Sequence, residues 1–398
     1  MAVNNMTKEQ AYQLIALLHE QATGENTIQP TDLSSFISVA QATLAAGVEP
    51  TLNAISQVIG RTLIAVRAYD EKFKGLEFTE ETWGGIIRKI SYVDTDAEAD
   101  PTHATVDGSA VDQYVVRKPK VLETRYVGSD VWMGAYTIYR VQLETAFQNE
   151  ASFGSFMTGL MTHFLNERTQ WFENLKRSLL ANAIASIKLM NNSDQIVHLL
   201  SEYNTITGAS PTFTAQTIMQ PANFKPFMEW AYSRVAEVSE LMTERSGMFQ
   251  QPMLDSNNDL IPINRHTPYE MQRAYFTAQF LNAMDAQVLA DTYHPNFLTY
   301  SDVEPVAFWQ SIKTPMSISA KPVYVDTDGT VKVGASNQAV SAIVGLLFDR
   351  DCMGYNIFRE SLEASPYNAE GQYYNLFAHA DVQLQYDPTE KCVLFLLD

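Results

Sequence analysis

The chain has 398 residues, 46% of them hydrophobic and 11% aromatic, a globular composition far from the disordered and collagen-like classes. Its formal net charge is −19, from 46 acidic and 27 basic residues, and the basic ones are scattered; that argues against a protein that reads nucleic acid, which needs clustered Lys and Arg. A compact chain of this mass buries roughly 75% of its unfolded surface, and so large a core normally splits, here into two or three lobes.

The first seventy residues read as helical. Thr7 and Gln10 have capping-box spacing, and Ala11, Leu14, Ile15 and Leu18 recur at helical intervals. A second helix is expected over 32–46 and a third over 52–69, with Ile55, Val58, Ile59, Leu63 and Val66 on one side. Short helices with narrow apolar stripes, separated by Pro30 and Pro50, suit an arm that packs on something else.

A β-rich segment follows. Residues 86–93 read as a strand, 94–110 as a polar loop, and 113–127 as one long strand turning at Gly128-Ser129-Asp130. The return strand is expected over 131–143, where Tyr136 and Ile138 alternate with Thr137 and Tyr139. Such strands reach about 40 Å at 3.3 Å per residue. A two-stranded ribbon of that length is marginal alone, so it is expected to lie on a neighbouring molecule.

Residues 152–188 carry the strongest helix signal. They hold no proline, and Phe153, Met157, Leu160, Phe164, Trp171, Leu175 and Leu179 mark one face, widened by Phe156, Met161, Leu165 and Phe172. The stripe is too wide for a sustained heptad seam, so a coiled coil is the weaker reading. Phe164, Trp171 and Leu175 are the expected buried core of this helix.

Beyond a Ser/Thr/Pro-rich stretch, a helix entered through Pro226 and closed by Gly247 has Phe227, Ala231, Val235, Val238 and Met242 as its stripe. Residues 270–281 have helical spacing. A hairpin is expected over 322–333 around Asp328-Gly329. Residues 343–348 and 391–397 read as apolar strands.

Chemistry is hard to find. Neither a dinucleotide fingerprint nor a phosphate-binding loop occurs, and the two Gly-Ala-Ser triplets lack the last glycine of a nucleophile elbow. His163 and Glu167 stand one helical turn apart, which more often is a plain surface pair than half a metal site. The run Asp94, Asp96, Glu98 and Asp100 lacks the glycine spacing of a calcium loop, as does DTDGT at 326–330. No cofactor and no metal are expected. Cys352 and Cys392 make neither a disulfide framework nor a zinc pair, and both are expected as free thiols. No signal peptide opens MAVNNMTKEQ, and no apolar run approaches a membrane span.

Taken in order, these segments resemble the major capsid proteins of tailed double-stranded DNA phages, those of the HK97-like fold and most closely those of small short-tailed phages. NRHTPYEMQ (264–272) resembles the axial-domain strand of that family. GLLFDRDCMGYNIFRESLEASPYN (345–368) is similar to the strand pair that follows it, and GQYYNLFAHADVQLQYDPTEKCVLFLL (371–397) to the closing segment. The resemblance favours a strand where 270–281 read as a helix.

The resemblance implies an α+β fold in five parts. These are an N-terminal arm (1–78), an extended hairpin or E-loop with peripheral-domain strands (79–148), a spine helix and peripheral domain (149–220), an axial domain (221–365) and C-terminal peripheral strands (366–398). It implies a non-enzymatic shell subunit that assembles with itself into hexamers and pentamers and encloses double-stranded DNA without reading its sequence. A separate scaffolding protein is implied, because no long cleavable segment precedes the arm, together with a portal at one vertex, assembly in the bacterial cytoplasm and no membrane. The alternatives are another phage structural protein, such as a decoration or tail component, and a cytosolic enzyme with an unrecognised site.

One contact surface is expected from charge order in the hairpin. Asp94, Asp96, Glu98, Asp100, Asp107 and Asp112 precede Arg117, Lys118, Lys120 and Arg125. The basic stretch Arg117, Lys118 and Lys120 would meet acidic groups on an adjacent subunit, since complementary charge fixes register between partners; the plainer reading is a solvated loop.

Overall fold

The computed structural model describes residues 8–23, 30, 32–45, 72–77, 86–94, 114, 116, 120–128, 130–146, 150–255, 257, 259–284 and 303–398. The expected third helix (52–69) lies outside them. The first two helices are α1 (Lys8–Thr23) and α2 (Leu33–Ala45). After β1 (Ile86–Tyr92), β2 (Val121–Val127) and β3 (Asp130–Tyr139) come a short helix, α3 (Arg140–Ala146), and the long helix α4 (Glu150–Met190).

Helix α4 has 41 residues, about 60 Å at 1.5 Å per residue. Its first half buries one stripe: Phe153, Met157, Phe164, Leu165 and Phe172. Its second half is enclosed further round, with Leu179, Leu180, Ala181, Ala183, Ile184, Ala185 and Ile187 all buried. A helix apolar on one side faces solvent, and one apolar all round is threaded through a core. Asn191, in the left-handed region at φ 49°, ends it, a conformation asparagine tolerates better than most residues.

Two sheets share that helix. The five-stranded sheet has the order β4 (Ile196–His198), β16 (Cys392–Leu396), β13 (Ile343–Asp349), β7 (Gln272–Thr277), β8 (Val303–Val306). Strands β7, β13 and β16 are buried along their whole length. One face packs on α4 through Tyr275, Leu346, Phe348 and Leu394. The other packs on α5 (Leu199–Thr207), α6 (Ala215–Ile218) and α7 (Pro221–Thr243) through Phe276, Val344, Leu347 and Phe395. Burial on both faces explains why these strands are continuous apolar runs instead of alternating ones.

The second sheet, β14 (Met353–Ala364), β15 (Tyr373–Tyr386) and β3, is antiparallel. Its inward face, with Ile138, Tyr374 and Leu376, joins α1, α2 and the start of α4 in a third core. Smaller two-stranded units complete the chain: β5 (Met253–Leu254) with β6 (Leu260–Ile261), β9 (Ile318–Ala320) with β12 (Gln338–Val340), and β10 (Val323–Val325) with β11 (Val331–Val333). The last pair is the expected hairpin, with Gly329 at φ 78° in its turn.

Four expectations need correction. The ribbon is not made of 113–127 and 131–143. β2 is shorter and pairs with β1, Ile86 opposite Val127 and Tyr92 opposite Val121, while β3 pairs with β15. Alternation marks a strand's two faces but not its partner, and Ile138 needs the helix-covered sheet to be buried. The strand expected to 143 stops at Tyr139 and becomes α3. Residues 270–281 divide into a 3₁₀ turn, the strand β7 and then α8 (Ala278–Met284); apolar spacing over so short a stretch does not separate the two states. Helix α7 starts at Pro221, contains Pro226 and stops at Thr243, short of Gly247. Proline at the first position wastes no hydrogen bond.

Candidate functional site

The β1–β2 ribbon alternates strictly. Arg88, Ile90 and Tyr92 of β1 and Val121, Glu123, Arg125 and Val127 of β2 point outward and are exposed. Glu123 lies 2.6 Å from Arg88 and 2.7 Å from Arg125. Those hydrogen bonds, from Arg125 and then Arg88, hold its carboxyl down at about 2. Between and beside these charges, Ile90, Tyr92, Val121 and Val127 are uncovered apolar groups. On β3, Val131, Met133 and Tyr139 are exposed as well.

The inward face carries Lys89, Ser91 and Tyr126, and it lands on the turn Asp387-Pro388-Thr389-Glu390-Lys391 between β15 and β16. This turn is buried in spite of its charges: Asp387, Thr389, Glu390 and Lys391 are all nearly inaccessible. Turns ordinarily run over the surface, where water satisfies their polar groups, so each group here needs a protein partner.

Asp387 accepts from the Thr389 amide at 2.9 Å and hydroxyl at 2.6 Å, which shapes the turn. Its other oxygen accepts from Lys89 Nζ at 2.8 Å, and the carboxylate adds to burial in pushing the Tyr126 hydroxyl well above its ordinary value. Lys89 Nζ donates to Glu390 at 2.5 Å as well. Arg265 reaches the same Glu390 oxygen at 3.4 Å and donates to Ser91 Oγ at 2.7 Å.

The two carboxylates respond differently. Burial raises Glu390, and Lys89 and Arg265 do not fully offset it. Burial also opposes ionised Asp387, but Lys89 and the Thr389 bonds win and lower it. For Lys89, burial is outweighed by Asp387 and Glu390 and the ammonium is held above its ordinary value.

Among the described residues, Lys391 has no carboxylate within bonding distance. Its Nζ donates to the Met242 carbonyl at 3.2 Å, the Glu244 carbonyl at 2.7 Å and Ser246 Oγ at 3.2 Å. It thus serves the open carbonyls at the end of α7. Burial pulls its pKa down to about 8.

The structure scatters the expected site residues. Asp94 is engaged within the chain, with Arg245 and, at 2.8 Å, the Asn264 amide. Lys120 is exposed, and its charge acts on Asp255, whose carboxyl is lowered first by the Asp259 and Asn257 amides and then by Lys120. Asp96, Glu98, Asp100, Arg117 and Lys118 lie outside the described residues. On α4, Phe164 is buried, whereas Trp171 and Leu175 are only half-buried, packed against the core between α4 and the sheets. Full burial was expected for all three, and the β3 edge above Trp171 leaves part of that face open.

His163 and Glu167 form an exposed pair at 3.6 Å. Among the described residues no group of His, Cys, Asp and Glu is placed to hold a metal ion, and no described helix is long and apolar enough to cross a membrane. Cys352 and Cys392 are free and buried, and burial raises the Cys352 thiol. Lys89, Arg265, Asp387, Glu390 and Lys391 were missed by sequence reasoning. The one available signal was a lysine at the head of the wholly apolar strand 392–396.

No curated protein sequence matches the chain. Among solved structures, the capsid structure of Staphylococcus phage Andhra is similar, with a TM-score of 0.57 at 12% identity over 84% of this chain and 86% of that one. A chain from the structure of head fiber and inner core protein gp22 of native bacteriophage P68 gives 0.55 at 11% identity, over 83% and 86%. At such identities the likeness speaks for the fold, which is α+β and HK97-like. The Phi29-like phage major capsid protein family matches residues 15–396. That span takes in the ribbon, the long helix, both sheets and the buried turn, and the chain belongs to the Phi29-like phage major capsid protein family, whose members are structural shell subunits and not enzymes.

Proposed function

We propose that the chain closes a shell of hexamers and pentamers around double-stranded DNA, and that its ribbon is the arm by which one subunit lies on the next. The observation that carries this is the uncovered apolar row Ile90, Tyr92, Val121 and Val127 on a two-stranded ribbon. Exposed apolar surface of this kind marks interaction sites. The division follows the sequence: arm 1–78, ribbon and strands 79–148, spine helix 149–220, axial domain 221–365, closing strands 366–398.

The basic stretch Arg117 and Lys118 meets acidic groups of the adjacent subunit, with Lys120 shared with Asp255 of its own chain. The net charge of −19 leaves packed DNA unstuck, since like charges repel over about 8 Å at physiological salt. A separate scaffolding protein guides assembly in the host cytoplasm, and a portal occupies one vertex. Negative-stain microscopy of the purified protein, alone and co-expressed with a scaffolding protein, tests the reading. Closed shells are expected; a discrete small oligomer under both conditions would sink it.

A further inference from the structure

We propose that the ionic cluster beneath the ribbon is a positioning latch: Lys89, Asp387, Glu390 and Arg265 fix the attitude of the ribbon to the body, and neither part needs them in order to fold. This rests on the ribbon reading above only in taking β1–β2 as the arm; it concerns contacts within one chain.

The first support is what the ribbon lacks. None of the three core clusters contains a described residue of β1 or β2. Among the described residues its ties to the body are polar and few. Lys89 goes to Asp387 and Glu390, Ser91 to Arg265, and Asp94 to Arg245 and the Asn264 amide. The Asp94 amide also donates to the Pro262 carbonyl at 2.8 Å.

The second is the nature of those ties. Apolar packing acts over a wide area, whereas a lysine held by two carboxylates ties the strand at one point to one turn. Buried ion pairs add little net cohesion, because desolvation cancels most of the attraction. They are suited to orientation. Two cations, Lys89 and Arg265, face Asp387 and Glu390, with the buried Asp349 close enough to act on Lys89 and Glu390 as well.

The third is the chain around the seat. On the same face of β15 as Asp387 stand Gln383 and Gln385, both buried, and Asn356 lies directly opposite Gln383. Among the described residues, both side-chain amide atoms of Asn356 and of Gln383 have no hydrogen-bond partner. Buried unpaired amides cost free energy, so this part of the seat is not optimised for cohesion. At the far end of β2, Gly128 has φ 109°, a conformation L side chains rarely adopt, and no described atom lies within 4 Å of where a Cβ would stand.

Hydrogen–deuterium exchange on the full chain, with Lys89→Met and Lys89→Arg, tests the latch. The reporters are the Asp94 amide, bonded to Pro262, and the Asn264 amide, bonded to Asp94. In Lys89→Met both should exchange at least tenfold faster, while amides of β13 and β16 remain protected even though the two carboxylates left without their cation lower the thermal midpoint. Lys89→Arg should restore slow exchange. Glu390→Gln, which keeps the shape and removes one charge, should give a smaller acceleration. Unchanged exchange in Lys89→Met would overturn the proposal. So would loss of the folded state in both Lys89→Met and Glu390→Gln, because the cluster would then be cohesive. Failure of shell assembly with normal exchange would count against the functional reading alone.

Discussion

The indole of Trp132, on β3, stacks against that of Trp171, on α4, with centroids 5.5 Å apart and planes 28° from parallel. Trp132 also lies over Gly134, two residues along its own strand: a Cβ there would come within 2.6 Å of the ring. The missing side chain lets the indole lie down and reach the helix. Trp171→Ala removes this stack from a half-buried site and should cost about 2–3 kcal/mol, below the full range for a wholly buried tryptophan. Urea unfolding of the unassembled subunit measures it, and a loss near zero would show that the stack does not hold sheet and helix together.

Gly345, in the centre of β13, is a tighter constraint. A Cβ at this position would stand 2.1 Å from Cδ1 of Phe276 on the neighbouring strand, and Phe276 is itself buried on Phe395 and Phe280. Neither ring nor backbone has room to give. Gly345→Ala should lower stability by about 3 kcal/mol or more through overpacking. The double variant Gly345→Ala with Phe276→Leu should recover part of the loss; if it is no better than the single change, the clash is not the cause.

These two sites also show what the sequence could and could not convey. The long helix was legible because Phe153, Met157, Phe164 and Phe172 repeat at its period, and β13 and β16 because unbroken apolar runs sit between turn residues. The partner of β2 was not, since alternation in 121–127 fits any strand that offers a covered face. Nor was the ionic seat: Lys89 and Asp387 are 298 residues apart, and a turn written Asp-Pro-Thr-Glu-Lys reads as solvated until five segments are seen to close over it. The charge order of 94–125 was visible, but Asp94 turned out to be engaged by its own chain through Arg245.

The two carboxylates of the seat should answer differently to neutralisation. Asp387 is lowered, so its ionised form stabilises the fold above its unfolded value, and that stabilisation is lost as pH falls through the folded one. Glu390 is raised, so its ionised form costs stability at neutral pH, and the cost fades as pH falls through its folded value. At pH 7, Asp387→Asn should therefore be more destabilising than Glu390→Gln by about 1 kcal/mol or more. Equal losses in denaturant titrations would mean that pairing and burial do not separate the two groups.

Lys391 supplies a test at alkaline pH. Its folded pKa of about 8 lies below the ordinary 10.5, so between those values the unfolded chain binds more protons than the folded one. Stability must then rise with pH across that window, and the group's full penalty is present below it. Relative to Lys391→Met, the parent chain should gain on the order of 1–2 kcal/mol between pH 7.5 and 9.5. Parallel pH profiles for the two proteins would place the amine at its ordinary value and remove it from the buried end of α7.

Tyr92 and Val121 face each other across the ribbon on its outward side, and both are exposed in the single chain, Tyr92 at 71%. If the ribbon rests on an adjacent subunit, these are groups that assembly covers and folding does not. Changing both to serine should move monomer stability by no more than about 0.5 kcal/mol, as for surface positions away from special features. The inward face, with Lys89, Ser91 and Tyr126, is untouched, so exchange at Asp94 and Asn264 should remain slow. Shell yield should fall at least tenfold, because a loss too small to matter in one subunit is repeated at every ribbon contact. The triple reversal of Arg117, Lys118 and Lys120 to Glu should act on the same contact through charge and leave a salt-dependent defect, screened within about 3 Å at 1 M. Full yields from the serine pair would show that the apolar row is not an assembly surface, and full, salt-resistant yields from the triple reversal would remove the basic stretch from the contact.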